Sequence, residues 1–139
     1  MHRKSLILMS GLILILALMI GCTKSNPIVF SWNYQGLHYV ADSAYSPASV
    51  NPNVIISAYS GTNAVEITAG TRLAVGSYPL HNRTTTSYLF YYSVVQLLYS
   101  QSGTLNVTSN DNTKMSGNFN VTFTDGTTMS GSFTDMPIR

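Results

Sequence analysis

Hydrophobic and polar residues alternate with a period of two along most of the chain after residue 28, which is typical of half-buried β-strands. The stretch 28–42 alternates on both sides of Gln35-Gly36 and is predicted to form a hairpin. The stretches 53–59 and 64–69 flank a turn-rich tetrad and predict two further strands. Residues 70–80 are less regular, because Gly70, Gly76 and Pro79 argue against a long central strand.

The stretch 88–99 fits two interpretations. Its apolar pairs, Val94-Val95 and Leu97-Leu98, are compatible with a helix, but β-branched and aromatic residues dominate it. The composition therefore predicts two strands, with a break near residues 93–96.

The last third of the chain carries the clearest strand pattern. A strand is predicted over 104–109 and a longer one over 115–123, with a turn at residues 110–112 between them. Asp125-Gly126 predicts the next hairpin, with a type I′ turn that needs positive φ at both central positions. The segments 115–119 (Met-Ser-Gly-Asn-Phe) and 129–133 (Met-Ser-Gly-Ser-Phe) echo each other and are predicted to be neighbouring strands facing one core.

These patterns predict an all-β fold with about eight to ten short antiparallel strands after an N-terminal signal helix. Turn signals recur about every ten residues, which is typical of a single β-sandwich or a lipocalin-like barrel, and the pattern leaves that choice open.

The N-terminus has the layout of a secretory signal peptide. Arg3 and Lys4 precede an apolar run over 6–20, and polar residues follow Cys22. The pentapeptide Leu18–Cys22 is similar to the bacterial lipobox, so cleavage is predicted between Gly21 and Cys22, with lipid attached to the cysteine thiol. The predicted organisation is a signal peptide over 1–21, a lipidated cysteine and short tether over 22–27, and a β-rich domain over 28–139. The alternative is an uncleaved transmembrane helix with an incidental thiol at its end.

Composition changes this picture in two ways. Cleavage would leave 118 of the 139 residues, with five basic and five acidic side chains, so nucleic acid is not expected as a partner. Cys22 is the only cysteine, so the chain cannot form a disulfide within itself.

No pattern of catalytic, metal-binding or cofactor-binding residues emerges. His38 and Asp42 share a strand face but lie about 13 Å apart along it, which is too far for a shared zinc. Residues 110–112 resemble part of a calcium loop without its downstream glutamate, and an Asx turn is favoured. Glu66, the only glutamate, is placed on the polar face of its strand. We therefore predict no catalytic residue, no metal and no cofactor.

Aromatic residues are the only candidates for ligand contact. Flat amphipathic rings can line a cleft for a sugar or a lipid, although rings on strands more often belong to the core or to cross-strand pairs. The candidate contact residues are Trp32, Tyr34, Tyr39, Tyr88 and Tyr92.

Several short segments resemble a family of uncharacterised small lipoproteins of Bacteroidota. They are Phe30–Asp42, Gly76–Leu80, Ser102–Asp111, Ser116–Phe119 and Gly131–Thr134. The resemblance covers roughly residues 28–136 and implies a lipobox followed by one β-rich domain of unknown function, without catalytic residues.

The leading hypothesis is a lipid-anchored, non-catalytic domain of the cell envelope that binds a ligand or a protein partner. It is expected at the outer membrane, facing either the periplasm or the surface. Three alternatives remain open: a lipocalin-like carrier of a small apolar ligand, a structural or adhesive subunit that assembles through sheet edges, and an envelope hydrolase.

Overall fold

The described part of the chain is built from strands alone. The structure, a computed structural model, describes residues 29–47, 54–69 and 73–139, and no helix occurs among them. Its ten strands are β1 (Phe30–Tyr34), β2 (Leu37–Val40), β3 (Ser43–Tyr45), β4 (Val54–Ser60), β5 (Asn63–Ala69), β6 (Gly76–Leu80), β7 (Tyr88–Tyr92), β8 (Leu97–Asn110), β9 (Lys114–Phe123) and β10 (Thr128–Pro137). The predicted all-β fold class is confirmed.

The strands form one antiparallel sheet in the order β2-β1-β10-β9-β8-β7-β5-β4-β3, with β6 paired to β8 outside this path. The sheet curls like a half-barrel. Residue Ser46, just after β3, pairs in parallel with Ile138 at the far end of β10. The Ser46 amide donates to the Pro137 carbonyl at 2.9 Å, and the Arg139 amide donates to the Ser46 carbonyl at 2.8 Å. These bonds connect the end of β3, an outer strand in the sheet order, to the end of β10.

Strand β8 is bent and pairs with three other strands, β6, β7 and β9. Its first residues, Leu97–Tyr99, pair with β7, and its later residues, Gly103–Val107, pair with β6. Its pairing with β9 shifts register between Ser100 and Ser102 and again between Val107 and Ser109. Such bulges bend a strand and increase its twist. Pro79 lies on β6, where a residue without an N–H is tolerated because the strand has one paired neighbour in this sheet.

The inward positions of the strands form one hydrophobic cluster. Its centre is aromatic: the Phe30 ring lies 5.7 Å from the Phe119 ring and 5.7 Å from the Phe133 ring. The most deeply buried large side chains are Trp32, Tyr91, Phe30, Phe119, Phe123, Ile56, Ile67, Leu73, Leu80, Leu89, Leu105 and Met115. This cluster lies on the inside of the curl.

Most predicted elements match the structure. The hairpin over 28–42, the break at residues 93–96, and the neighbouring strands that carry the Met-Ser-Gly echo are all present. Strand β3 lies between the predicted hairpin over 28–42 and the predicted strand over 53–59, where no strand was predicted.

The turn type predicted at Asp125-Gly126 is wrong. Gly126 has φ +85, but Asp125 is not among the residues with positive φ. The Gly126 amide donates to the Phe123 carbonyl at 3.0 Å, and the Phe123 amide donates to the Thr127 carbonyl at 2.8 Å, so the loop holds one residue more than a type I′ hairpin allows. Positive φ at both central residues occurs instead at Gln35-Gly36, with values of 50 and 77.

Candidate functional site

The structure divides the five predicted ligand-contact aromatics between two places. Trp32, Tyr34 and Tyr39 lie together on the inner side of the β1–β2 hairpin, where Trp32 is fully buried and stacks on Tyr39 at 5.3 Å. Tyr88 and Tyr92 lie on the outer side of β7, on the other half of the sheet. The two sets therefore cannot line one cleft.

Two residues of the first set, Tyr34 and Tyr39, line a pocket of about 280 Å³ at one end of the curl, whereas the buried Trp32 does not reach it. Three connections meet there: the turn after β1, the turn before β5 and the loop between β7 and β8. We call it the tyrosine pocket, and the lining side chains that matter here are Tyr34, Tyr39, Asn63, Tyr91, Ser93 and Gln96.

Hydrogen bonds tie two of the three connections to two buried tyrosines. The Tyr91 hydroxyl donates to Asn63 Oδ1 at 2.7 Å, and Gln96 Nε2 donates to the Tyr34 hydroxyl at 3.2 Å. The two rings lie 4.8 Å apart. The walls of the pocket are therefore held in place before any ligand arrives.

One buried hydroxyl group in the pocket wall lacks a hydrogen bond of standard geometry. Ser93 is only 8% exposed, and its Oγ makes no hydrogen bond of standard geometry. It does interact with the Tyr91 hydroxyl, which acts to lower the pKa of Tyr91 against the larger effect of burial. The Ser93 amide donates to the Gln96 carbonyl at 2.9 Å, so the backbone of the loop is satisfied while the side chain is not. A buried hydroxyl without a partner costs about 1–3 kcal/mol, and a ligand that bonds to it would recover that cost.

The tyrosine pocket is uncharged. Every side chain that lines it is neutral, and burial, reinforced by the nearby Tyr39 and Tyr34 hydroxyls, raises the pKa of Tyr91 to about 12. Tyr91 therefore stays a hydrogen-bond donor at physiological pH. Val94 and Val95 stand at the rim, with Val95 88% exposed. The pocket thus combines convergent hydroxyl and amide groups with an apolar lip, and it offers no nucleophile paired with a base.

The second set of aromatics belongs to a broad surface that the sequence analysis did not foresee. Outward positions of β3, β4, β7 and the start of β8 carry rings around Glu66, which lies on β5. We call this surface the aromatic face, and its rings are Tyr45, Tyr59, Tyr88, Phe90, Tyr92 and Tyr99. Glu66 does point outward as predicted, and the residues directly opposite it are Ser57 on β4 and Phe90 on β7.

A second concavity, of about 730 Å³, lies outside the strands β1, β10, β9 and β8. Its outward side chains are hydroxyls and amides, among them Asn33, Asn120, Thr122 and Ser130. Alternation within one strand gives no sheet order, so the sequence could not show that Asn120 and Thr122 share a groove with residues of other strands.

The remaining polar candidates are accounted for by local bonds. His38 is exposed, with Nδ1 2.8 Å from Asn33 Oδ1, and Asp42 Oδ2 accepts from the Gly61 amide at 2.7 Å. Asp111 Oδ1 accepts from the amides of Thr113 and Lys114, as the predicted Asx turn requires. Within the part of the chain that the structure describes, no group of three or more potential metal ligands comes together.

The fold and these surfaces define an all-β domain built on one curled antiparallel sheet, with a neutral tyrosine pocket at one end. The chain belongs to the family described as a domain of unknown function, DUF6252, whose model matches residues 26–137. Comparison with curated proteins and with solved structures finds no match. Among the described residues, no helix is both long and apolar enough to span a membrane. Gly21, Cys22 and the predicted signal peptide lie outside the described residues.

Proposed function

We propose that the protein is a lipid-anchored, non-catalytic domain of the cell envelope that binds a small uncharged ligand in the tyrosine pocket. The observation that carries the binding proposal is the buried Ser93 Oγ, which among the described residues makes no hydrogen bond of standard geometry and interacts only with the Tyr91 hydroxyl, in a wall otherwise made of bonded tyrosine, asparagine and glutamine groups. A ligand with a hydroxyl or amide group fits these partners, and no charged group is needed on either side.

Two alternative functions lose support from the same geometry. A lipocalin-like carrier needs an interior that its own side chains leave empty, whereas the inward side chains of this curl pack into one hydrophobic cluster. A hydrolase needs His38 or Glu66 in a cleft beside a second catalytic group. Here His38 bonds to Asn33 on the surface, and Glu66 stands on the aromatic face.

The anchoring half of the proposal depends on the thiol of Cys22. We expect Cys22→Ser to abolish the lipid adduct and to release the protein from the membrane fraction, because no other cysteine is available for acylation. Intact-mass spectrometry and membrane fractionation test both effects. Wild-type protein without added lipid mass, or a Cys22→Ser protein that stays in the membrane, would overturn the anchor.

The binding half is tested by native mass spectrometry of full-length protein extracted from its own cells in mild detergent. We expect an added small mass on the wild-type protein that is absent from Ser93→Leu, since the leucine side chain fills the pocket. Ser132→Leu places the same side chain on the exposed outer side of β10 and serves as the matched control. A bare wild-type protein, or equal added mass on Ser93→Leu, contradicts the pocket proposal.

A further inference from the structure

The aromatic face presents two exposed rings at a regular spacing. Tyr59, Ala64 and Tyr92 stand directly opposite one another on three adjacent strands. Tyr59 is 40% exposed and Tyr92 is 51% exposed, while the methyl side chain between them leaves a shallow trough. Two strand spacings amount to about 10 Å, which is close to the length of two sugar units in an extended chain.

The next row of the face provides the polar group. Glu66 stands opposite Phe90, one pleat away from the two exposed rings, and is half-buried. Burial among these neighbours raises the pKa of its carboxyl group. A carboxylate that is poorly hydrated gains from hydroxyl donors on a ligand, because bonds to a charged acceptor are stronger than neutral ones.

The face is almost free of other charge. Glu66 is the only charged residue on β3, β4, β5 and β7. The Arg83 guanidinium, from the loop before β7, lies over the Tyr99 ring at 5.0 Å, at one side of the face. Tyr99 also contacts Phe90, with 6.1 Å between the ring centres, so this side of the face is packed while the side of Tyr59 and Tyr92 is open.

We propose that the aromatic face is a second binding site, for a neutral polysaccharide chain that lies across β4, β5 and β7. The apolar faces of two sugar rings stack on Tyr59 and Tyr92, and a sugar hydroxyl donates to Glu66. Spaced amphipathic rings beside one carboxylate match a ligand whose flat C–H faces alternate with hydroxyls. A protein partner would pair a lysine or an arginine with Glu66, and salt weakens such an ion pair. Salt does not weaken contact with a neutral glycan.

The test is native affinity electrophoresis of the full-length protein in detergent, through gels that contain hydroxyethylcellulose, xylan, laminarin, galactomannan or dextran. We expect at least one polymer to retard the wild-type protein, equally at low and high salt. Tyr59→Ala and Tyr92→Ala should each weaken binding roughly threefold to tenfold, the range for loss of one aromatic contact. Tyr92→Phe should bind nearly as the wild type does, because the ring is kept, and Glu66→Gln should weaken binding roughly fivefold.

Matched variants separate this site from the tyrosine pocket. Val75→Ala changes an apolar residue that is 63% exposed and outside the face, and it should leave retardation unchanged. Ser93→Leu should also leave it unchanged, so either site can fail without the other. Retardation by none of the five polymers, full retardation of the Tyr59→Ala/Tyr92→Ala double variant, or retardation abolished by salt would each overturn the proposal.

Discussion

The repeated Met-Ser-Gly segments lie on β9 and β10, where each strand places a phenyl ring over a glycine of the other. Adding one methyl group, by Gly131→Ala, tests this interlocked packing. In the register of β9 and β10, Gly131 stands opposite Phe119, and Gly117 stands opposite Phe133. Each phenyl ring lies over the glycine of the other strand. A Cβ built on Gly131 would meet the edge of the Phe119 ring and would lie 2.6 Å from the Ser31 carbonyl oxygen.

The expected cost of Gly131→Ala follows from these two contacts. Overpacking of a core costs about 1–3 kcal/mol. We expect the upper part, about 2–3 kcal/mol, because the Phe119 ring is already in contact with Phe30 and the Ser31 carbonyl belongs to paired backbone. For a domain of this size the loss corresponds to a fall in Tm of roughly 8–15 °C.

Urea denaturation followed by tryptophan fluorescence measures this loss, since Trp32 is the only tryptophan and is fully buried. Ser132→Ala on the exposed side of β10 is the control and should stay within about 0.5 kcal/mol of wild type. A double-mutant cycle with Phe119→Leu removes the ring edge and should recover about 1 kcal/mol of the loss, leaving the part due to Ser31. A Gly131→Ala protein as stable as the control, or a strictly additive cycle, would refute the interlock.

Three further predictions concern single polar groups. Ser100→Ala should lower the free energy of unfolding by about 1–3 kcal/mol, because the buried Ser100 Oγ accepts from the Leu89 amide at 2.9 Å and donates to the His81 carbonyl at 2.6 Å. An unchanged midpoint in urea denaturation would contradict this prediction. Burial raises the pKa of Glu66, so the folded state holds that proton more tightly than the unfolded state does, and stability is lost as the pH rises through the folded pKa. Glu66→Gln should therefore have a higher Tm than wild type at neutral pH and the same Tm under acid conditions, and a gap that persists in acid would rule this out. Bonds from the Thr127 hydroxyl and amide lower the pKa of Asp125. The carboxylate therefore stabilises the folded state above the unfolded pKa, and this stabilisation is lost as the pH falls through the folded pKa. Asp125→Ala should have a lower Tm than wild type at neutral pH and the same Tm in strong acid.

The local pattern was enough to predict strands but not their arrangement. Alternation identified Trp32 and Tyr34 as facing one side of β1, yet a period of two does not say whether that side is the core or a cleft. Burial of both residues follows from the position of β1 beside β10, a pairing between the first strand and the last one. Such long-range pairing leaves no mark in either segment alone.

The same limit explains the two surfaces proposed as binding sites. Tyr59 and Tyr92 are more than thirty residues apart, and only the sheet order β4-β5-β7 places them in one row. The sequence also contains no signal for the buried Ser93 hydroxyl, because its surroundings depend on the turns that carry Asn63 and Gln96. What the sequence did show is that Val94 and Val95 interrupt two strands, and the pocket forms at that break.

The path of β1 relates the proposed anchor to the tyrosine pocket. The strand begins at Phe30 and runs to Tyr34, which lines the pocket, so residue 29 and the pocket lie at opposite ends of β1, about 17–20 Å apart. From Cys22 to residue 29 the chain can span at most about 25 Å. A lipid on Cys22 would reach the level of the pocket only if that segment ran almost fully extended back along β1. The proposed anchor therefore favours an orientation in which the pocket, with the exposed Val94 and Val95 at its rim, faces away from the membrane that holds the lipid.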